Sequence, residues 1–172
     1  MKTTPVLLTA LLAFPLATLS PVAVADSAKK SATSAKKTSD EQTDWGKPGK
    51  ANKQTRTIKV DMTDAMRFTP ANIEVQQNET VRFLITNSGK IKHEMVLGTE
   101  KELKEHYEVM KKNPEMEHDD PNMVTLAPGK SGEVVWQFTK AGKVDFACLQ
   151  PGHYDAGMKG EVKVAKAAAK TK

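Results

Sequence analysis

Only one of these 172 residues is a cysteine, Cys148, and only four are histidines. A single thiol excludes an internal disulfide, so no cysteine framework holds this chain together. Long apolar runs are also missing: the best one, Val6 to Leu19, is broken by Pro15 and too short for a comfortable membrane span. Between Asp26 and Thr55 nothing large and apolar occurs except Trp45. Such a stretch cannot bury enough surface to offset chain entropy, and it reads as a disordered Lys/Ser/Ala/Thr-rich tether.

Excess positive charge is absent from the part that can fold. The formal net charge is +5, but residues 26–55 carry seven Lys against four acids and residues 166–172 carry three Lys. With Lys2 also set aside, residues 56–165 hold 15 basic and 17 acidic residues, a net of −2. The basic character therefore belongs to the arms and gives no ground for a nucleic-acid partner. Basic arms serve solubility or touch anionic lipid or an acidic partner.

The first 25 residues have the layout of an export signal. Lys2 precedes the apolar run, and Ala23-Val24-Ala25 offers a small-x-small cleavage site before Asp26. Cleavage there places a mature chain in the periplasm without stable membrane insertion. A free thiol in that oxidising compartment invites oxidation unless something occupies it, and a metal would.

Residues 56–165 read as one small all-β domain. Period-two runs occur at Thr57–Met62, Ile73–Val75, Val81–Ile85, Ile91–Leu97, Val134–Phe138, Val144–Cys148 and Gly160–Val164. Seven short strands between turn signals predict an antiparallel sandwich or Greek-key barrel. One segment follows another period. Thr99 with Glu102 makes a capping box, Leu103, Tyr107 and Met110 recur at helical spacing, and Asn113-Pro114 stops the helix. A long acidic connection, Glu115 to Met123, follows this inserted helix.

The chemistry lies in Cys148-Leu149-Gln150-Pro151-Gly152-His153-Tyr154-Asp155-Ala156-Gly157-Met158. A thiolate, an imidazole and a thioether share one loop, with four residues between successive ligands. With a second histidine they form the donor set of a type 1 copper centre: two His and one Cys in a plane, with a weak axial Met. His93, the one histidine on a predicted strand, is the fourth ligand. Two His and one Cys also suit zinc.

The stretch Phe146 to His153 with Met158 resembles the ligand loop of the cupredoxins, the plastocyanin and azurin family. His93-Glu94-Met95-Val96-Leu97-Gly98 and Asp120-Pro121-Asn122-Met123 are similar to its periplasmic copper-resistance branch. Over residues 56–164 the resemblance implies a Greek-key β-sandwich and one mononuclear copper, with His93, Cys148 and His153 as equatorial ligands and Met158 axial. It implies one-electron transfer or copper tolerance as the role. Electron carriers of this family usually have Asn after the first His, where this chain has Glu94. A carboxylate there adds negative charge, which favours Cu(II) and lowers the potential.

A second copper site is read in the insertion. From Glu94 to Asp120 there are nine acids and four lysines, and Met110, Met116, His106, His118 and Met123 lie within or beside it. Thioethers with imidazole suit Cu(I). The alternative is that Met110 fills the core and the acids form a solvated face.

The predicted function is copper tolerance by a monomer with one type 1 copper site, with a soluble electron shuttle as the alternative and a redox or copper-transfer protein as partner. Enzymatic readings fail on composition. Cys148 with His153 lacks a third orienting group, a multicopper cluster needs more histidines, and a binuclear centre needs a second cysteine.

Overall fold

The computed structural model describes residues 42–167. The leader, the tether up to residue 41 and the end of the tail, residues 168–172, lie outside the described residues. Ten strands form two five-stranded sheets. The first contains β1 (Gly46–Pro48), β2 (Arg56–Thr63), β3 (Arg67–Thr69), β5 (Thr80–Asn87) and β8 (Ser131–Phe138), in the order β1-β8-β5-β2-β3. The second contains β4 (Asn72–Gln76), β6 (His93–Gly98), β7 (Met123–Leu126), β9 (Gly142–Ala147) and β10 (Lys159–Ala165), in the order β4-β10-β9-β6-β7. The all-β sandwich with one inserted helix is as the sequence predicts.

Period two does the sorting. In β5, Val81, Phe83 and Ile85 are buried while Arg82, Leu84 and Thr86 are less so; in β8, Val134, Trp136 and Phe138 point to the same interior. Strand β6 departs from alternation and is buried along its whole length. Its Met95 and Leu97 join the core between the sheets, while Val96 joins a second apolar cluster with Leu103, Tyr107, Met110, Ala147 and Leu149. That cluster lies under α1 (Glu100–Lys112), whose capping box is formed as the sequence indicates. The helix thus covers a second face of β6 and β9, and His93 and Glu94 at the start of β6 face opposite ways.

Three features differ from the sequence reading. The two pairs β2–β5 and β4–β10 are parallel, so the sheets are mixed. Strands β1, β3 and β7 were not anticipated, since three or four residues are too few for period two to register. Residues 45–48, which the sequence reading assigns to the tether, are part of the fold. Trp45 is buried, stacks 4.9 Å from Trp136 and donates its Nε1–H to Glu102, while Gly46–Pro48 pairs with β8. One large apolar ring, together with this backbone pairing, docks a segment whose composition is otherwise that of a tether.

A candidate metal centre

Cys148 follows the last residue of β9, and the chain then turns through residues 150–157 before β10. Backbone bonds fix this turn. His153 N–H donates to Gln150 O at 3.0 Å, Ala156 N–H to Gly152 O at 3.0 Å, and Met158 N–H to His153 O at 3.0 Å. Cys148 N–H closes the loop on Met158 O at 3.1 Å. Gly152 and Gly157 take left-handed conformations, with φ of 84° and 88°, which side chains disfavour.

Side chains from elsewhere hold the outside of the loop. The Tyr107 hydroxyl donates to Asp155 Oδ2 at 2.8 Å and accepts from Gly152 N–H at 3.0 Å. Arg67 Nη1 donates to Ala156 O at 3.0 Å. The inserted helix therefore anchors the ligand loop. Sequence reasoning placed Tyr107 only on an apolar stripe and did not single out Arg67 or Asp155.

Three of the four predicted ligands converge. His93 Nδ1 lies 3.2 Å from His153 Nδ1, and His153 Nδ1 lies 3.2 Å from Cys148 Sγ. The ligand atoms of His93, Cys148 and His153 all fall within 4.8 Å of one another. His93 and Cys148 are fully buried, whereas His153 reaches the surface in part. Met158 is fully buried in the same core cluster as Cys148.

The donor set fits copper. A soft sulfur and two borderline imidazole nitrogens face one point, in a frame set by sheet and loop hydrogen bonds. Burial pushes the Cys148 thiol up to about 12, although the backbone N–H groups of Glu94 and Gln150 pull it back. Burial and then the neighbouring His93 hold His153 below its ordinary value, so its ring favours the neutral form that binds metals. A cation would take the proton's place on sulfur.

Glu94 acts as a brace. Its backbone N–H approaches Cys148 Sγ at 3.5 Å. Its buried carboxylate accepts Leu149 N–H at 3.0 Å, Gln150 Nε2–H at 2.9 Å and the Thr125 hydroxyl at 3.2 Å. One side chain thus fastens the two residues after Cys148 to β6 and β7. Sequence reading saw charge at this position and missed the bracing.

The members of the second predicted site separate. Met110 and Met123 are buried in the cluster under α1 and serve packing. Met116 is 43% exposed. His106 and His118 stack with ring centroids 4.5 Å apart. Neither ring nitrogen of His118 has a hydrogen-bond partner among the described residues, though both are closed off from solvent. Burial and then His118 hold His106 below its ordinary value. Met116 and His118 line a cleft of about 530 Å³ whose walls include Glu94 and Gln150. The cleft therefore backs onto the brace of the main site.

Two packed sheets with two histidines and a cysteine gathered at one strand end and the loop after it define a mononuclear copper-binding β-sandwich. Residues 54–165 match the family model described as copper binding proteins, plastocyanin/azurin family, and the chain belongs to that family. It is 55% identical over 125 residues to the copper-resistant cuproprotein CopI of Rubrivivax gelatinosus, covering 73% of this chain and 76% of the relative. A protein of the same name from Pseudomonas aeruginosa is 39% identical, over 70% of this chain and 82% of the relative. Another from Vibrio cholerae is 38% identical, over 67% and 69%. Among solved structures, auracyanin B superposes with a TM-score of 0.57 at 24% identity, covering 70% of this chain and 96% of its own. Reduced auracyanin from Roseiflexus castenholzii gives 0.56 at 21%, over 64% and 98%. These two support the fold alone.

Proposed function

We propose that this chain is an exported type 1 copper protein that serves copper tolerance. The observation that carries the reading is the meeting of His93 Nδ1, His153 Nδ1 and Cys148 Sγ in one buried frame. His93, Cys148 and His153 would hold the ion, with Met158 as the axial ligand. Bound there, copper supplies a one-electron Cu(I)/Cu(II) couple. Relatives named copper-resistant cuproproteins in three bacteria support tolerance as the role. The signal-like layout of the first 25 residues supports export to the periplasm, and no helix among the described residues is long and apolar enough to cross a membrane.

The test is growth in graded copper by a host lacking this protein. Wild-type chain restores growth, and Cys148→Ser restores little of it. Equal rescue by the two would sink the tolerance role of this site. The second reading, an electron shuttle, is favoured by His153, the one of the three ligands that reaches the surface. A shuttle predicts rapid electron exchange with a soluble redox partner and no growth defect in copper.

A further copper ion at the insertion belongs to the same proposal. The observation behind it is the stacked His106–His118 pair with both His118 nitrogens unpartnered, beside Met116. Replacing His106, His118 and Met116 together lowers copper stoichiometry beyond the first equivalent and leaves the main site loaded. Unchanged stoichiometry and affinity would remove the second site.

A further inference from the structure

The His93 ring has two ends, and only one faces the pocket. Its Nδ1 lies 3.2 Å from His153 Nδ1, while its Nε2 lies 3.0 Å from Asp64 Oδ1. We infer that Asp64 is a positioning residue that fixes His93 as an Nδ1 ligand and biases the centre toward Cu(II). The inference deepens the proposed function and rests on its assignment of His93 as a ligand.

An ionised carboxylate only accepts hydrogen bonds, so Asp64 keeps the ring proton on Nε2 and leaves the Nδ1 lone pair directed at the pocket. Asp64 is itself aimed. Its Oδ2 accepts Lys90 N–H at 2.8 Å, from the turn between β5 and β6. That turn is laid against the end of β2: Ser88 N–H donates to Met62 O at 2.9 Å, and the Ser88 hydroxyl bonds the Asp61 carboxylate. Buried Asn87 holds the turn from inside, through Nδ2 to Ile91 O at 2.8 Å and to Leu126 O at 2.9 Å.

Gly89 makes room for the contact. A Cβ at that position would lie 2.0 Å from Asp64 Oδ1 and 3.1 Å from His93 Nε2. The space between turn and ring is therefore taken by the carboxylate only because residue 89 has no side chain. Asp64 itself is 38% exposed, so water can satisfy its carboxylate when the bond to His93 is lost. What the bond changes is the imidazole. A ligating histidine that gives its second N–H to a carboxylate becomes a stronger donor, and a stronger nitrogen donor stabilises Cu(II) more than Cu(I).

The experiment compares Asp64→Ala and Asp64→Asn with Asp61→Asn, which removes an equal charge while its amide oxygen still accepts the Ser88 hydroxyl and leaves the turn in place. The readouts are the His93 tautomer in the apoprotein by ¹⁵N NMR, the affinities for Cu(II) and Cu(I), and the reduction potential. Asp64→Ala weakens Cu(II) binding by about 10–100-fold, with a smaller change for Cu(I). Each tenfold difference between the two raises the potential by about 59 mV. The same variant lowers the Nε2–H population of His93. Asp64→Asn keeps the tautomer, because its amide oxygen still accepts, yet raises the potential. Asp61→Asn moves neither. An unchanged tautomer and potential in Asp64→Ala would overturn the inference, as would an equal potential shift in Asp61→Asn. If the wild-type chain took up no copper, the proposed copper site would fall, and the apoprotein tautomer would still decide the positioning role by itself.

Discussion

Replacing Cys148 with serine abolishes the intense thiolate-to-copper absorption that the wild-type domain develops on titration with Cu(II). In the wild type that absorption saturates at one equivalent. Losing a partner outside the ligand shell typically costs 10–100-fold in metal affinity, so losing the thiolate itself costs at least about a hundredfold. The hydroxyl of serine keeps its proton and offers a hard oxygen where copper prefers sulfur. Full absorption in the variant would remove Cys148 from the site. A wild type that binds zinc tightly but develops no visible band would turn the assignment toward zinc.

The same substitution has a signature without metal. The buried thiol is pushed up to about 12, whereas its ordinary value is 9.0. Above pH 9 the unfolded chain releases this proton and the folded chain retains it, so rising pH favours unfolding. The apoprotein loses on the order of 1 kcal/mol per pH unit through this group as pH climbs from 9 toward 12. Tyr107 and Tyr154 are also raised by burial and titrate in the same direction. The comparison with Cys148→Ser by urea unfolding isolates the thiol: the variant falls less steeply, and parallel curves would contradict the shift.

Glu94→Ala destabilises the apoprotein by about 2–4 kcal/mol, mainly through the donors it abandons. Leu149 N–H is buried and loses its acceptor, while Gln150 and Thr125 can turn toward the neighbouring cleft. Removing a buried charge works the other way, since desolvating a carboxylate is costly. Here the hydrogen bonds win, because the Leu149 amide lies past the end of β9 and has no other acceptor among the described residues. Glu94→Gln costs about half as much, since its amide oxygen accepts from Leu149 but its NH₂ meets the Gln150 donor. Urea unfolding of the two variants is the check, and a loss under about 0.5 kcal/mol in Glu94→Ala would show that the brace carries no load.

Much of this site could be read before any fold was known. Cys148 and His153 share one short loop, so spacing and turn residues sufficed to bring their donor atoms together. His93 required only that one histidine fall on a predicted strand. Glu94 was noticed for its charge, yet its role depends on Leu149, Gln150 and Thr125, which lie 31–56 positions away. Tyr107 and Arg67 were invisible as loop anchors for the same reason. Trp45 shows the opposite failure, because the composition of its surroundings concealed one docking ring.

The sequence by itself determined the class of fold, the helix with its capping box and the donor types of the metal centre. These follow from periodicity and from which atoms bind copper, both properties of short segments. Tertiary structure decided the parallel pairings, the short strands β1, β3 and β7, the withdrawal of Met110 and Met123 into packing, and the bond from Asp64 to His93. Apart from β3, which pairs locally with β2 and is too short for period two to register, each of these is a contact between residues far apart in the chain, and period and spacing carry no information about which distant segments meet. Closure of the two sheets supplies that information, by burying one set of faces and bringing the ends of strands together.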